Sequence, residues 1–463
     1  MRNKILLHLL IAASICSTGC KKAAIETADI YKYIPPAGQA INDAAPLCGS
    51  IKGTMLAGKT YIIGCDVIIN RGDTVIVQSG VKIIMTNTTA IVVRGVFISL
   101  GTKNNPNWIT VDGITKTDQP GVDPATDPAY SGKWKGIYGD TSCTLLSLKW
   151  THVEFAGAAM GAVLAPSLGQ SNTASYPILF QNPKGYFIME DSWVYGSIDE
   201  QVRISNGKIA LLRNTFEKGG LVGGDCLNAK GGTVGDMNYN FFIGLATNGQ
   251  KASNKGQPTG AAQTNIVMYN STFVNCGYRQ IQTGRGANLN FEEGARGKYY
   301  NNVAINCKFG YRVVKTPAAD TANLTSGNNY QWADSLSGAN QFYPVGYISN
   351  PQQTDIPNPA FLPSNYTLGA AYDGSSVIQQ NNPLFINYQL PVTKGLRLRD
   401  ISAIGTYNFR LQINSPLINR GYTGLNLSPL KVVPEDPIYG VTEYTLPGKE
   451  LGCYQINGTG NQH

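Results

Sequence analysis

Short apolar strands separated by polar corners dominate the chain from Tyr61 onward. The segments TYIIGCDVIIN, DTVIVQSGVKIIM, AIVVRGVFISL and NWITVDG follow one another, and none of them has the 3.6-residue period of a helix. Valine, isoleucine, threonine and tyrosine favour strands, and the 52 glycines suit the turns between them. The pattern predicts an all-β protein.

One sequence motif recurs in the middle of the chain. It consists of a strand followed by an asparagine or aspartate at the next corner. Its copies begin near Trp150, Met189, Leu212, Met237, Val267 and Lys298. The corner anchors are separated by 23, 26, 30 and 31 residues, at Asp191, Asn214, Asn240, Asn270 and Asn301. This period favours β-helix coils over an antiparallel sandwich, and the leucine-rich-repeat consensus of similar period is missing from the sequence. We expect a single-domain right-handed parallel β-helix in which these anchors lie one above another.

The N-terminus has the features of an export signal. A basic start precedes an apolar run from Ile5 to Ile15, which is too short to cross a membrane as a mature helix. The residues that follow, Ser17-Thr-Gly-Cys20, resemble the lipobox of bacterial lipoproteins, although Ser17 stands where leucine is usual. Lipidation of Cys20 and membrane attachment through that lipid are expected, and an ordinary secretory signal is the alternative.

These signals divide the chain into four parts. We predict a signal peptide over 1–19, a flexible tether over 20–47, the β-helix over 48–425, and a C-terminal extension over 426–463 that packs on the end of the helix. Of the cysteines in the mature chain, Cys48 and Cys65 either pair in an oxidising periplasm or are small buried hydrophobes. For Cys276 and Cys307 we expect burial.

The formal net charge of +8 comes from scattered basic residues. No basic block is present, so the sequence argues against nucleic-acid binding. A mildly positive surface suits an acidic polymer, and solubility explains it equally well.

Strand alternation separates residues that face the core from residues that face outward. In the segments that begin at Val202, Leu227 and Leu289 the apolar residues are expected inside, which places a polar set outside: Arg203, Asn228, Lys230, Asn290 and Glu292. The counterpart of the coil between the last two segments is expected in Gln250–Thr259, with Lys251. A second alignment, of Tyr278-Arg279 with Tyr311-Arg312, places these two arginines on successive rungs. The adjacent carboxylates Asp199 and Glu200 are expected on opposite faces, hence not a hydrolase pair.

Three segments resemble the pectin-lyase-like superfamily of right-handed parallel β-helices. Trp134–Gly157 is similar to the opening coils of many secreted members, while Asn382–Asn387 and Phe409–Gly421 resemble the phrase that closes the stack. Within the superfamily, the chain is most similar to outer-membrane lipoproteins of polysaccharide-utilising bacteria. The resemblance implies an outer-membrane, lipid-anchored monomer that binds or acts on an extended acidic polysaccharide, lyase-like if it is an enzyme.

Lyases of that superfamily use a lysine or arginine base, while Ca²⁺ or basic residues neutralise a uronate carboxylate. Carried onto this chain, the resemblance implies three roles. The candidate catalytic residues are Lys230, Arg279 and Arg296. The candidate substrate-binding residues are Arg203, Asn228, Lys251, Arg285 and Asn290. The candidate Ca²⁺ ligands are Asp225, Glu292 and Glu293.

Three alternatives remain open on the sequence alone. The charged residues are also typical of a salt-bridged solvent face. The protein is then an adhesin or structural β-helix of the cell surface, or an enzyme-like fold that has lost its chemistry.

Overall fold

The computed structural model describes residues 38–116, 123–282, 285–342, 348–349, 364–372, 377–378, 382–390 and 407–463. Within them the chain winds through three series of parallel strands, and each central coil contributes one strand to each series. The protein is a parallel β-helix solenoid, so the predicted fold class is confirmed.

We name the three series sheets 1, 2 and 3 in the order in which a coil visits them. Sheet 1 consists of Gly53–Met55, Thr74–Val77, Val96–Leu100, Leu145–Lys149, Tyr186–Glu190, Lys208–Leu212, Val234–Asn238, Asn265–Tyr269, Arg296–Tyr300 and Leu324–Gly327. Sheet 2 consists of Lys82–Met85, Asn107–Thr110, Thr151–Glu154, Trp193–Tyr195, Thr215–Glu217, Phe241–Ile243, Thr272–Val274, Val303–Ile305 and Tyr330–Trp332. Sheet 3 consists of Leu47–Ser50, Ala90–Val93, Gly136–Gly139, Ile178–Phe180, Val202–Ile204, Leu227–Ala229, Gln250–Ser253, Leu289–Glu292, Tyr311–Val314 and Ile348–Ser349.

The remaining elements are one long strand and several short ones. The long strand Thr60–Ile69 joins sheets 2 and 3, because its first half pairs with Lys82–Met85 and its second half with Ala90–Val93. The antiparallel strand pairs of the described residues are Ala371–Tyr372 with Val377–Ile378 and with Tyr330–Trp332, and Phe385–Asn387 with Asn408–Leu411. The helices are Gly161–Leu164 and Leu336–Ala339, and the 3₁₀ turns are Pro128–Tyr130, Ala165–Leu168 and Thr321–Asn323. In the described part of the chain, no helix is long and apolar enough to cross a membrane.

Each strand alternates between the core of the stack and its outer face. Val202 and Ile204 are fully buried inside, as the sequence pattern predicted. Aromatic rings stack along the axis, and the ring centroids of Phe216, Phe242 and Phe273 are 5.2 and 4.8 Å apart. A rung buries little by itself, so the apolar residues are stabilised mainly by the rungs above and below.

The corner between sheets 1 and 2 carries the polar repeat in two adjacent files. Left-handed backbone, with positive φ, occurs at Trp150, Asp191, Arg213, Tyr239, Asn270, Asn301 and Asn328. The next residue of each coil is buried, and this second file consists of Thr151, Ser192, Asn214, Asn240, Ser271, Asn302 and Asn329. The predicted anchors belong to both files, since Asn214 and Asn240 lie one residue beyond the left-handed corner. The expectation that all five lie one above another is therefore wrong.

The second file is a hydrogen-bonded ladder along the stack. The Ser192 amide donates to Asn214 Oδ1 and the Asn214 amide donates to Asn240 Oδ1, each at 3.0 Å. Two coils later the Ser271 amide donates to Asn302 Oδ1 at 3.0 Å. Buried backbone N–H groups at a corner lack a strand partner, so the side chain of the next coil supplies the acceptor.

The C-terminal segment 426–463 lies along the side of the stack. The prediction that it packs on the end of the helix is therefore wrong. Asp236 accepts hydrogen bonds from the backbone amides of Leu430 and Lys431 at 2.9 and 3.1 Å. Lys149 donates to the carbonyls of residues 436 and 437. The last residue, His463, stacks on Trp193 with ring centroids 3.7 Å apart. These contacts span several coils, because a solenoid presents its sides and not only its end to the rest of the chain.

The cysteines behave in two ways. Cys48 and Cys65 form a disulfide between the first strands, so the pairing alternative is correct. Cys276 and Cys307 are free and buried, as expected. The export signal, Cys20 and the tether as far as residue 37 lie outside the described residues.

Candidate functional site

The outward face of sheet 3 changes from apolar to charged along the stack. In the early coils Val92, Tyr138 and Leu179 occupy this face, and the insertion Met160–Tyr176 covers them. From the next coil onward the same file is polar and consists of Arg203, Asn228, Lys251, Asn290 and Arg312. The polar part of this face therefore begins where the insertion ends.

Strand register places Lys251 on the rung between Asn228 and Asn290. The expected counterpart in Gln250–Thr259 is thus confirmed. Ser253 pairs with Glu292, and Lys230 directly follows the strand residue Ala229 that pairs with Ala252. Lys230 and Glu292 accordingly occupy equivalent positions two coils apart, as predicted.

A polar cavity of about 270 Å³ opens on this face. Its lining residues are Asp199, Glu200, Gly224, Asp225, Asn228, Lys230, Thr247, Asn248, Lys251, Lys255, Gln280, Arg285, Glu292, Glu293 and Arg312. Seven of the residues proposed from sequence are among them. Two more, Arg203 and Asn290, contact lining carboxylates, with Arg203 Nε 2.8 Å from Glu200 Oε2 and Asn290 Nδ2 2.9 Å from Glu292 Oε2.

Lys251 forms the centre of an ion network in the cavity. Its Nζ lies 3.2 Å from Asp225 Oδ2 and 2.7 Å from Glu292 Oε1. Although burial opposes the charged amine, these carboxylates hold the pKa of Lys251 above its usual value. Burial likewise opposes the carboxylate of Asp225, but Lys251 and the amide of Asn248 hold its pKa below the usual value.

Glu200 is a second buried carboxylate, at the end of the cavity next to the insertion. Its Oε1 accepts a hydrogen bond from Asn228 Nδ2 at 2.8 Å, and its other oxygen pairs with Arg203. Arg203 in turn donates to the Tyr176 hydroxyl at 2.9 Å. Burial raises the pKa of Glu200 to about 7, against the attraction of Arg203. The group is therefore divided between acid and carboxylate near neutral pH.

Sequence reasoning missed Asp199 and Glu200 as cavity residues. Both lie in the turn before strand Val202–Ile204, where strand alternation does not apply, and both line the cavity. The expectation that they point to opposite faces is wrong. The sequence does contain one indication. Glu200 and Asp199 lie two and three residues before a strand of sheet 3, and Asp225 lies two residues before the next strand of that sheet.

Lys230 is half-buried in the cavity, and its ammonium contacts no acidic or polar side chain of the described residues within bonding distance. Burial, followed by repulsion from Arg203, lowers the pKa of Lys230. A lysine in this state gives up its proton more readily than a surface lysine. That property is what a general base requires.

Two of the three proposed catalytic residues lie elsewhere. Arg279 donates to the carbonyls of Gly219 and Gly220 at 3.0 and 2.7 Å, and to that of Gly244 at 2.8 Å. Its guanidinium carbon is 4.8 Å from the ring centre of Tyr130, so the side chain holds two loops together. The prediction that Arg279 and Arg312 lie on successive rungs is therefore wrong, because Arg312 pairs in sheet 3 with Asn290 and Arg279 lies outside the strands.

Arg296 begins a strand of sheet 1 and pairs with Asn265. Sheet 1 is a different side of the coil, so this residue does not line the cavity. The sequence placed it near Glu292 because only a short turn separates them.

The three proposed Ca²⁺ ligands do not converge on one point. The Lys251 ammonium separates Asp225 from Glu292, and Glu293 is engaged by the Ser253 hydroxyl. Among the residues that the structure describes, no three acidic, histidine or cysteine side chains come together closely enough to hold a metal ion. The donor set is rich in oxygen, but its centre is filled by a lysine.

A larger cavity of about 1190 Å³ lies between the C-terminal segment and the corner of sheets 1 and 2. On its floor, Arg213 binds both oxygens of Asp191 at 2.9 Å and also Glu190 at 3.0 Å. His152 nearby is structural, with its ring stacked between Trp108 and Trp193 at centroid distances of 3.6 and 3.9 Å. These contacts attach the segment to the stack.

Comparison with protein-family models, with curated proteins and with solved structures finds no match to this chain. The cavity of sheet 3 is therefore the feature of the molecule that bears on its function. That cavity unites a half-buried lysine, a carboxyl group with a pKa near neutral and a rim of basic side chains.

Proposed function

We propose that this protein is an exported, lipid-anchored β-helix that binds an extended acidic polysaccharide in the sheet 3 cavity and cleaves it by β-elimination. The observation that carries the proposal is Lys230, a lysine with a lowered pKa and no acidic partner among the described residues. Surface lysines that serve only solubility keep an ordinary pKa and lie in open solvent.

The chemistry assigned to the cavity is proton abstraction next to a uronate carboxylate. Neutral Lys230 takes the C5 proton, and the electron pair passes into the carboxylate as the enolate forms. The C4–O bond then breaks, a C4=C5 double bond forms, and the departing oxygen receives a proton from the acid form of Glu200. The cationic side chains of Lys255 and Arg285, which are exposed at the rim, meet the carboxylates of the glycan.

The length of the charged face suits an extended ligand. Rungs lie about 4.8 Å apart, so the two rungs between Lys230 and Glu292 correspond to roughly 10 Å, about the span of two sugar rings. Asn228 and Asn290 lie on the strands of the same rungs. A polymer running along the stack would contact one rung after another.

We further propose that the chain belongs to the pectin-lyase-like superfamily, near outer-membrane lipoproteins of polysaccharide-utilising bacteria. The parallel β-helix and a charged cavity on one outer sheet support this assignment. So do the segments Trp134–Gly157 and Phe409–Gly421, which resemble the opening and closing coils of such proteins. Outer-membrane attachment through Cys20 is part of the same proposal.

The test is incubation of the full chain with a panel of acidic polysaccharides, read by the ultraviolet absorbance of unsaturated uronate. We expect one member of the panel to give rising absorbance, and Lys230→Gln to abolish it while the melting temperature stays unchanged. Lys208→Gln, on the outer face of sheet 1, is the matched control and should retain full activity.

Two results would redirect the proposal. Binding without new absorbance would make the protein a glycan-binding β-helix whose chemistry is lost. If no acidic glycan binds, or if Lys230→Gln leaves cleavage intact, the cavity is not the site.

A further inference from the structure

Two carboxylates face each other across the sheet 3 cavity with a single cation between them. Asp225 ends the turn before one strand, and Glu292 lies two coils further along the stack. Lys251, on the rung between them, directs its Nζ to Asp225 Oδ2 at 3.2 Å and to Glu292 Oε1 at 2.7 Å. Lys251 is 9% exposed, so this ion network is largely shielded from solvent.

Three asparagines surround the two carboxylates and orient them. The Nδ2 groups of Asn228 and Asn248 donate to Asp225 at 3.0 and 2.5 Å, and Asn290 Nδ2 donates to Glu292 at 2.9 Å. Because each amide nitrogen is fixed by a carboxylate, the opposite orientation of the amide would bring two oxygens together. The amide oxygens of these three buried asparagines accept no hydrogen bond from the described residues.

The two carboxylates therefore converge on one positive centre, and the three unpaired amide oxygens belong to asparagines that contact these carboxylates. Carboxylate and amide oxygens are the ligand types that Ca²⁺ prefers, and Ca²⁺ takes six to eight oxygens. Here the positive charge is covalently attached to the chain. An ammonium and a divalent cation cannot occupy the same few ångströms, because they repel each other and compete for the same oxygens.

We infer that Lys251 is the resident cation of the cavity: its ammonium takes the position between Asp225 and Glu292 that a calcium ion would otherwise fill, and it makes the site independent of divalent metal. Lys251 is thus a positioning residue, which holds two acidic side chains in place. The inference concerns the same cavity as the proposed function, but it needs no glycan for its test.

The test is calorimetric titration of CaCl₂ into the full chain, for the wild type and for Lys251→Ser. The serine variant removes the ammonium and keeps an oxygen at its base. We expect no calcium binding by the wild type up to about 10 mM, and one site in the variant with a dissociation constant of about 10⁻⁴–10⁻³ M, the range of extracellular calcium modules. Lys251→Arg keeps a cation in place and should bind no calcium.

Two further arms identify the ligands. The double variant Asp225→Asn/Lys251→Ser loses one carboxylate and should bind calcium at least tenfold more weakly than Lys251→Ser. The melting temperature of Lys251→Ser should rise with added CaCl₂, while that of the wild type stays constant.

Two outcomes would overturn the inference. The first is calcium binding by the wild type that Asp225→Asn abolishes. The second is a Lys251→Ser variant with the circular dichroism spectrum of the wild type but no calcium affinity. If Lys251→Ser does not fold in EDTA, recovery of the fold on addition of CaCl₂ supports the inference. A variant that folds neither in EDTA nor in CaCl₂ contradicts it. None of these measurements uses polysaccharide, so failure of this inference can be distinguished from failure of the proposed activity.

Discussion

Substitution of Asn240 by alanine tests how far the buried ladder at the corner of sheets 1 and 2 stabilises the stack. The Asn240 side chain is fully buried and makes three hydrogen bonds. Its Oδ1 accepts from the backbone amide and from Nδ2 of Asn214, at 3.0 and 3.2 Å, and its Nδ2 donates to the Leu211 carbonyl at 3.0 Å. Asn240→Ala removes all three at once.

The expected loss follows from the groups left behind. The Asn214 backbone N–H becomes unpaired inside the protein, whereas the Leu211 carbonyl belongs to a strand of sheet 1 that is paired on both sides, and Asn214 Nδ2 retains its bond to the Met189 carbonyl. A buried unsatisfied group costs about 1–3 kcal/mol, so the free energy of unfolding should fall by about that amount. A small cavity adds to this loss.

Urea denaturation followed by circular dichroism measures the change. The midpoint should shift to lower urea with an unchanged slope, since the surface exposed on unfolding stays the same. The control is Asn104→Ala, at an exposed asparagine, for which we expect less than about 0.5 kcal/mol. In the double variant with Asn214→Ala the losses should not add, because the two side chains share hydrogen bonds. Equal midpoints for Asn240→Ala and Asn104→Ala would refute the ladder as a source of stability.

Three more predictions concern single sites. Burial raises the pKa of Asp236 to about 7 from 3.8, so the folded state keeps a proton that the unfolded state releases, and the stability of the wild type falls as pH rises from about 4 to about 7. Over that range the free energy of unfolding of Asp236→Asn, measured by thermal or urea unfolding, should rise relative to that of the wild type by up to about 4 kcal/mol. A difference that stays constant with pH would contradict this. Arg279→Lys should lower stability by about 2 kcal/mol through the loop carbonyls it leaves unpaired, while lost cleavage at unchanged stability would restore Arg279 to the catalytic residues. Cys20→Ala should move the protein from the membrane to the soluble fraction, and membrane association that survives would exclude the lipid anchor.

The sequence by itself determined the fold class and the outward residues of sheet 3. Both depend on local periodicity: alternation along a strand decides which side chain faces the core, and stacking of similar coils imposes the repeat. Arg203, Asn228 and Lys230 were placed correctly for that reason. Asn214 and Asn240 lie one residue beyond the file of the other anchors. Two adjacent positions of the corner both accept asparagine, one for its left-handed backbone and the other for the ladder.

Only the tertiary structure decided which charges meet. Arg279 and Arg296 lie close to the site in the sequence, but Arg279 holds two loops together and Arg296 belongs to sheet 1. A turn of a few residues is enough to move the chain to another side of the coil. Glu200 entered the cavity from a turn, where no periodicity applies. Lys251 met its two carboxylates because strand register across three coils, set by the packing of the whole stack, brings together residues separated by long and unequal loops.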